Sequence, residues 1–495
     1  MRGLGGSTLM LGISYACNFV LVPFLLGAWG PGNYGLWVTL TTAASYLALF
    51  DLGGQYYIQN LLAMSYARND SAEFRRVLSR GMALFLWIGG AVLLFWLAAV
   101  TAGSMWSVPI LGRPLTRIEG AVLICLGCNQ CLVSIPFGVF VTAYRASGHF
   151  MRATVLGNIN KIILFLLSLL VALMHAGPTA LALATLFVGV ISATILLYDS
   201  RRLIPAAVGL DVSWSSARQG LSLLHGSFFN WLIAVANLVN QSVPLLIIAR
   251  YAPPEIVALF ATHRTIAAVA IYVPGIVSGP IQPELSYLWS LAQQARFEQM
   301  LVRSLIAVVL VTGGAALAIY VGAPLVFERW TSGHVPFSDR LLGLLLLQAV
   351  TGTGTTVVGW ALVASNKHQI YSLACLGYAL VFVLLLVLVI PVWGFAGAIA
   401  ANVVLDLMYL GVVLPLLSAK VLHVSAARLL RATCTALGLI GLIALPVYMA
   451  ATALPTGWNT VTALAVLAVA SLATLFLLRR RWGLDCPDEA QPTQV

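Results

Sequence analysis

Residues 228–249 read FFNWLIAVANLVNQSVPLLIIA, 22 positions without a charge. As a helix rising 1.5 Å per residue, such a run crosses a hydrocarbon core about 30 Å thick. Only helices and closed barrels satisfy every backbone polar group in that core. Three of its polar residues, Asn230, Asn237 and Gln241, fall within about 40° of one another at 100° per residue. The stretch reads as a membrane helix with one polar stripe.

The same pattern runs outward through the chain. Apolar segments of membrane length lie at 7–28, 36–56, 81–101, 119–143, 153–175, 179–198, 220–249, 256–282, 301–322, 341–364, 371–391, 395–416, 432–454 and 459–478. With 61% hydrophobic residues and only 8% charged ones, no connection is long enough to fold as a soluble domain. The expected fold is an all-α integral membrane protein of about fourteen transmembrane helices. The first segment lacks a charged leader and a small-residue cleavage site and reads as a retained helix.

The chain repeats itself. Ser7, Ser14 and Asn18 precede Asn230, Asn237 and Gln241 by 223 residues, and the same offset relates Trp37 to Phe260 and Phe74 to Phe297. Val22-Pro23 and Val243-Pro244 recur at an offset of 221, and each half has a longer connection after its second helix, at 57–80 and 283–300. The expected organisation is an N-lobe (1–198), a linker (199–219), a C-lobe (220–416), two appended helices (417–478) and a tail (479–495). Repeated lobes of six helices each are how many secondary transporters build alternating access. Pro23, Pro136, Pro244, Pro274, Pro280 and the Gly352-Thr353-Gly354 run are places where the spans can bend.

The net charge of +11 does not point to nucleic acid. If both termini are cytoplasmic, 20 of the 26 basic residues fall on that side, including Arg75, Arg76, Arg80, Arg201 and Arg202. That is the positive-inside distribution, and such loops also attract anionic membrane lipids. Cys125, Cys128 and Cys131 share the spacing of an iron–sulfur run without its fourth ligand, and they sit inside an apolar helix. They read as small packing residues. No metal or cofactor is expected.

Ionisable residues at membrane depth are costly and mark candidate sites. His263 and Arg264 lie inside the eighth segment, with Arg264 on a face shared by Ala268, Gly275 and Gln282. Arg250 ends the seventh segment, and Lys161 follows Asn158 well inside the fifth. His225 stands at the start of the seventh. Asn402, Asp406 and Tyr409 share one helical face, and Asp51 lies in the second segment. The bland alternatives are snorkelling for Arg250 and Lys161 and a structural pairing for Asp51 and Asp406. The sum is a mildly cationic cavity suited to an anionic headgroup, with Arg264, His263, Arg250, Lys161, Asn18, Asn230, Asn237 and Gln241 as lining. Asp51 and Asp406 are its coupling or structural acids.

Gly32-Asn33-Tyr34-Gly35-Leu36-Trp37 followed by Tyr46-Leu47-Ala48-Leu49-Phe50-Asp51-Leu52-Gly53 resembles the first hairpin of Wzx-type bacterial polysaccharide-exporter flippases. These belong to the multidrug/oligosaccharidyl-lipid/polysaccharide (MOP) exporter superfamily. The Asn60–Arg80 stretch and Pro280-Ile281-Gln282-Pro283-Glu284-Leu285-Ser286 fit as well. The resemblance implies a V-shaped bundle of two six-helix lobes in the bacterial inner membrane, rocking between inward- and outward-open forms. Its cargo would be a polyprenyl-pyrophosphate-linked oligosaccharide, flipped for O-antigen, capsule or exopolysaccharide assembly beside a polymerase or ligase. It also implies a cationic cavity, for which Arg264, Arg250 and Lys161 are the candidates. The alternatives are a lipid II flippase, a cation-coupled drug exporter or a membrane-embedded glycosyltransferase or polymerase. An enzyme of that last kind needs catalytic groups in a sizeable outer loop. The loops 102–118 and 323–340 are short and offer Arg113, Arg117, Glu328, Arg329, His334 and Asp339.

Overall fold

The computed structural model describes residues 2–105, 114–278, 281–365 and 367–453; the side chains of 2–15, 206, 225, 273–278 and 448–453 are not described. The expectations for the segment 459–478, the tail 479–495, Arg113, Pro280, and the side chains of Ser7, Ser14, His225 and Pro274 therefore lie outside the described residues. Every described element is a helix. Among the described residues, ten helices are long and apolar enough to cross a membrane, or up to eleven when a bent pair counts as one span. This is a multi-pass membrane architecture.

The difference from fourteen has two physical sources besides the undescribed C-terminal segment. The run His368–Leu422 is 55 residues, far longer than one crossing needs. Gly394, at φ 67° and ψ −172°, divides it, and the expected segments 371–391 and 395–416 lie on either side. Gly30, at φ 71° and ψ 171°, divides Arg2–Ser45 in the same way. Both conformations are essentially reserved to glycine.

Helix boundaries in the connections also differ from expectation. The stretch 57–80 is mostly helical rather than open loop. A 3₁₀ turn, Tyr46–Asp51, leads through left-handed Leu52 into Gly54–Ala67, bent by 41° from the preceding helix. The next helix starts at Ser71, where the Asp70 carboxylate accepts the Glu73 N–H at 2.8 Å. A local cap was enough to continue the helix into the polar segment. Likewise the helices Ile281–Ser290 and Gln294–Trp330 together occupy most of 283–300.

The internal repeat recurs in the backbone. Helices Ser71–Met105 and Gln294–Trp330 start 223 residues apart, each after a left-handed residue, Asn69 (φ 55°) and Ala292 (φ 54°), at the same offset. Phe74 and Phe297, paired by the sequence, are both buried in the first turns of these helices.

Contacts group the chain into two compact units. The first comprises Met1–Thr265, Phe327–Leu341 and Ser365–Leu405. Its core is formed by Ile58, Leu62, Phe74, Leu78, Phe85, Val139 and Phe140. Within it the helix Arg2–Ser45 packs against both Phe150–Leu173 and Phe228–Tyr251. The second comprises Ile266–Val326, Leu342–Ala364 and Asp406–Val495. There Glu298 accepts the Ser425 N–H at 3.0 Å and pairs with Arg428 at 3.2 Å, while Gln294 donates to the Leu422 carbonyl at 2.5 Å.

Candidate functional site

The first unit carries most of the expected lining residues. On Phe228–Tyr251, the stripe forms as its spacing requires: Asn237 and Gln241 are exposed and Asn230 is half-buried. Asn18, on the helix packed beside it, is exposed. Exposed amides on membrane-length helices face either lipid or water, and lipid would leave their donors and acceptors unmatched at a cost of roughly 2–7 kcal/mol each. Water or a polar ligand is the favoured neighbour. Asn240, one position off the stripe, has a buried Oδ1 without a hydrogen-bond partner among the described residues, as has Asn158 on Phe150–Leu173.

The cations differ in placement. Lys161 and Arg264 are half-buried, and each takes part in polar or electrostatic contacts within the protein. Arg250 is exposed, with its guanidinium 5.6 Å from the ring centre of neighbouring Tyr251. This is the geometry of a helix end resting at an interface.

His263, adjacent to Arg264, is fully buried. Its Nδ1 lies 2.8 Å from the Leu259 carbonyl, and its Nε2 accepts the Ser338 backbone N–H at 2.9 Å. One nitrogen donates and the other accepts, so the ring is the neutral Nδ1–H tautomer. Phe327 and Phe337 close over it, with ring centres at 4.5 and 5.7 Å. The aromatic series continues through Trp330, which stacks on Phe19 at 4.7 Å and donates to the Phe19 carbonyl at 2.9 Å. The stripe residue Asn18 is thus held by its neighbour's anchor. No periodicity in the sequence announces this cluster, because its members come from three separate stretches.

Asp51 ends the 3₁₀ turn and accepts the Gly53 N–H at 2.8 Å, holding the corner between two helices. Two contacts missed by sequence reasoning fasten that corner to Phe228–Tyr251. Trp231 donates to the Leu49 carbonyl and Ser227 to the Leu52 carbonyl, each at 2.8 Å. A second missed network joins Tyr144, Asp199 and Arg152 at 2.6 and 2.5 Å. Asn402 accepts from Tyr378 at 2.7 Å.

The second unit holds Asp406, buried, with the Thr351 hydroxyl 3.0 Å from its Oδ2 and Gly352 alongside. A π-helical turn, Tyr409–Val413, follows within one turn of it. Such turns are frequent at functional sites. A second π turn, Asn129–Ser134, continues the helix that carries Cys125 and Cys128 and contains buried Cys131. All three are free thiols packed within the helix.

No protein-family model and no curated protein sequence matches the chain. Solved structures do. A structure described as lipid II flippase MurJ in an inward closed conformation aligns with TM-score 0.69 at 13% identity, covering 96% of this chain and 98% of its own. An inward-facing multidrug resistance MATE family transporter of the MOP superfamily aligns with TM-score 0.61 at 15% identity, covering 80% and 92%. The chain shares the fold of these solved structures. The outward-facing form of such a MATE transporter aligns less closely, with TM-score 0.54. A cargo does not follow from the fold.

Proposed function

We propose that the chain is a flippase moving a polyprenyl-pyrophosphate-linked oligosaccharide from the cytoplasmic to the periplasmic leaflet by alternating access. The observation that carries this reading is the set of exposed amides, Asn18, Asn237 and Gln241, on membrane-length helices of a MOP fold, in the same unit as half-buried Arg264 and Lys161. In this reading Arg264 and Lys161 receive the pyrophosphate, Asn230 and the exposed amides bond the sugars, and Arg250 meets the headgroup at the interface. Arginine suits phosphate because its planar fork donates bidentate bonds. His263, sealed and doubly bonded, ties Ser338 to the helix that carries Arg264. Asp51 holds a helix corner, and Asp406 is the coupling candidate.

The 223-residue recurrence of helix starts supports lobes at 1–198 and 220–416, a linker at 199–219 and added helices at 417–478. The basic loops support an inner-membrane orientation with both termini cytoplasmic. The O-antigen, capsule or exopolysaccharide role and a polymerase or ligase partner belong to the same proposal. The test is reconstitution in vesicles with a fluorescent polyprenyl-pyrophosphate oligosaccharide, following its movement between leaflets. Movement of lipid II in its place would establish the lipid II reading. Movement of an organic cation alone would establish a drug exporter.

A further inference from the structure

Away from the stripe, a cavity of about 710 Å³ opens between the start of the helix Ser71–Met105 and the segment that joins Pro178–Leu203 to Trp214–Gly220. That volume is in the range of small-ligand sites, about 300–1,000 Å³. Arg75, Arg76 and Arg80 line it together with the hydroxyls of Ser71, Ser79 and Ser216. Asp211 is the one acid in its wall. That carboxylate is already engaged by the Ser213 N–H at 2.9 Å, the Ser213 hydroxyl at 3.0 Å and the Ser216 hydroxyl.

The arginines are held but not used up. Arg75 donates one N–H to the Gly209 carbonyl at 2.6 Å, and Arg80 donates Nε–H to the Gln219 side chain at 3.1 Å. Arg76 pairs with Glu73 at 3.0 Å, outside the cavity wall, and reaches the Ala72 carbonyl at 3.4 Å. A guanidinium has five N–H donors, so each retains donors for a ligand. Three arginines against one occupied carboxylate make an anion site.

Its depth in the membrane follows from the helix. At 35 residues, Ser71–Met105 is about 52 Å long, against a core of about 30 Å, so one end overhangs. The polar stretch 71–80 is that overhang. About 10 Å further along the helix axis, exposed Trp87 meets exposed Trp214 edge to face at 5.0 Å and donates to the Val212 carbonyl at 3.4 Å. Exposed tryptophans of this kind sit at headgroup level. The cavity therefore stands just outside the hydrocarbon, where lipid phosphates lie.

We propose that this cavity is a binding site for the phosphate of an anionic membrane lipid, separate from the transport stripe. Arg75, Arg76 and Arg80 supply the charge, and Ser71 and Ser79 supply hydroxyl donors, the Ser216 proton being held by Asp211. The site staples a lipid headgroup to the segment 204–219, which links successive long helices. Only the side of the membrane rests on the orientation proposed above; lipid retention does not depend on what the protein transports.

The test is native mass spectrometry of the full chain in detergent with equal phosphatidylglycerol and phosphatidylcholine of matched acyl chains. The wild type should retain phosphatidylglycerol preferentially, by roughly tenfold given the attraction of several arginines near a surface. Arg75→Gln/Arg76→Gln/Arg80→Gln should abolish the preference, while Arg201→Gln/Arg202→Gln, exposed and outside the cavity, should keep it. If the triple variant does not fold, Arg76→Gln alone should still reduce the preference several-fold. Equal loss in the two multiple variants overturns the site in favour of diffuse charge. Full retention in the Arg75/Arg76/Arg80 variant overturns it outright. Arginine-dependent binding of inorganic pyrophosphate without any lipid preference overturns the lipid assignment.

Discussion

The Ser338 backbone N–H donates to Nε2 of His263 at 2.9 Å, tying the turn before the helix Asp339–Ala364 to the middle of Pro254–Ser278. The partner is a neutral ring with no exposure, between Phe327 and Phe337. His263→Ala would strip the Ser338 N–H of its acceptor and leave a void between two rings. An unsatisfied buried donor costs about 1–3 kcal/mol, and the void adds to it. Thermal unfolding in detergent should show a clear loss of stability. Transport by the surviving folded fraction should stay near the wild-type rate. A normal melting temperature with lost transport would instead make His263 a cargo ligand.

Gly30 and Gly394 occupy a backbone region that costs other residues of order 1–3 kcal/mol. Among the described residues, no atom beyond the local backbone lies within 4 Å of a Cβ added at either, so the cost of alanine there is conformational. Gly394→Ala should destabilise the protein by about that amount, and Gly30→Ala likewise. Additive losses in the double variant would show that the two breaks act independently.

These breaks also explain what the sequence made legible and what it did not. Apolar runs with polar stripes marked the helices, and the 223-residue echo was read at Phe74 and Phe297 but not as the helix starts at Ser71 and Gln294. A glycine's sign of φ is not encoded in hydropathy, so the apolar runs placed breaks near 30 and 394 without showing that Gly30 and Gly394 make them. The stripe Asn230–Asn237–Gln241 was readable because it depends only on helical period. The fixing of its helix by Trp231 on Leu49 was not, because those residues lie 182 positions apart. Isolated charges such as His263 announce cost, and only tertiary packing decides whether that cost is met by protein or by ligand.

Asp211 sits in the connecting segment, outside the spans. Hydrogen bonds from the Ser216 hydroxyl first, then from the Ser213 N–H and hydroxyl, hold its carboxyl below the ordinary aspartate range. A depressed folded value means the ionised carboxylate stabilises the local turn above the unfolded value. That contribution fades as pH falls through the folded value. The environment of Trp214, which begins the helix that Ser213 caps, should stay constant from neutral pH down to about 4 and change below it. Asp211→Ala should show the altered Trp214 fluorescence already at neutral pH. A pH-independent signal in the wild type would remove the carboxylate from this role.

Arg264 is the sharpest test of the transport stripe. Hydrogen bonds to charged groups contribute about 1.5–3 kcal/mol, so Arg264→Ala should slow flipping by roughly ten- to a hundredfold. Arg264→Lys keeps the charge but loses the fork and should fall between. Outward movement of a pyrophosphate should also gain from an inside-negative potential, by about 2.3 kcal/mol per charge per 100 mV. Vesicles clamped at zero potential should flip more slowly than polarised ones. An unchanged rate would mean that the headgroup's charge is neutralised in transit.

Asp406 divides structural from coupling roles. The single hydroxyl proton of Thr351 is shared among Asp406 at 3.0 Å, the Gln348 carbonyl at 3.1 Å and the Leu347 carbonyl at 3.2 Å. Thr351 therefore keeps an acceptor when the carboxylate is lost. Asp406→Asn preserves shape and an acceptor oxygen while removing the charge, so its stability should stay within about 1 kcal/mol of wild type. If the carboxylate binds a coupling cation or proton, flipping in Asp406→Asn should no longer respond to sodium or pH gradients imposed across the vesicle. Cargo binding in the absence of a gradient should persist. A variant that keeps its full gradient response would leave Asp406 as a packing group beside the Tyr409–Val413 turn.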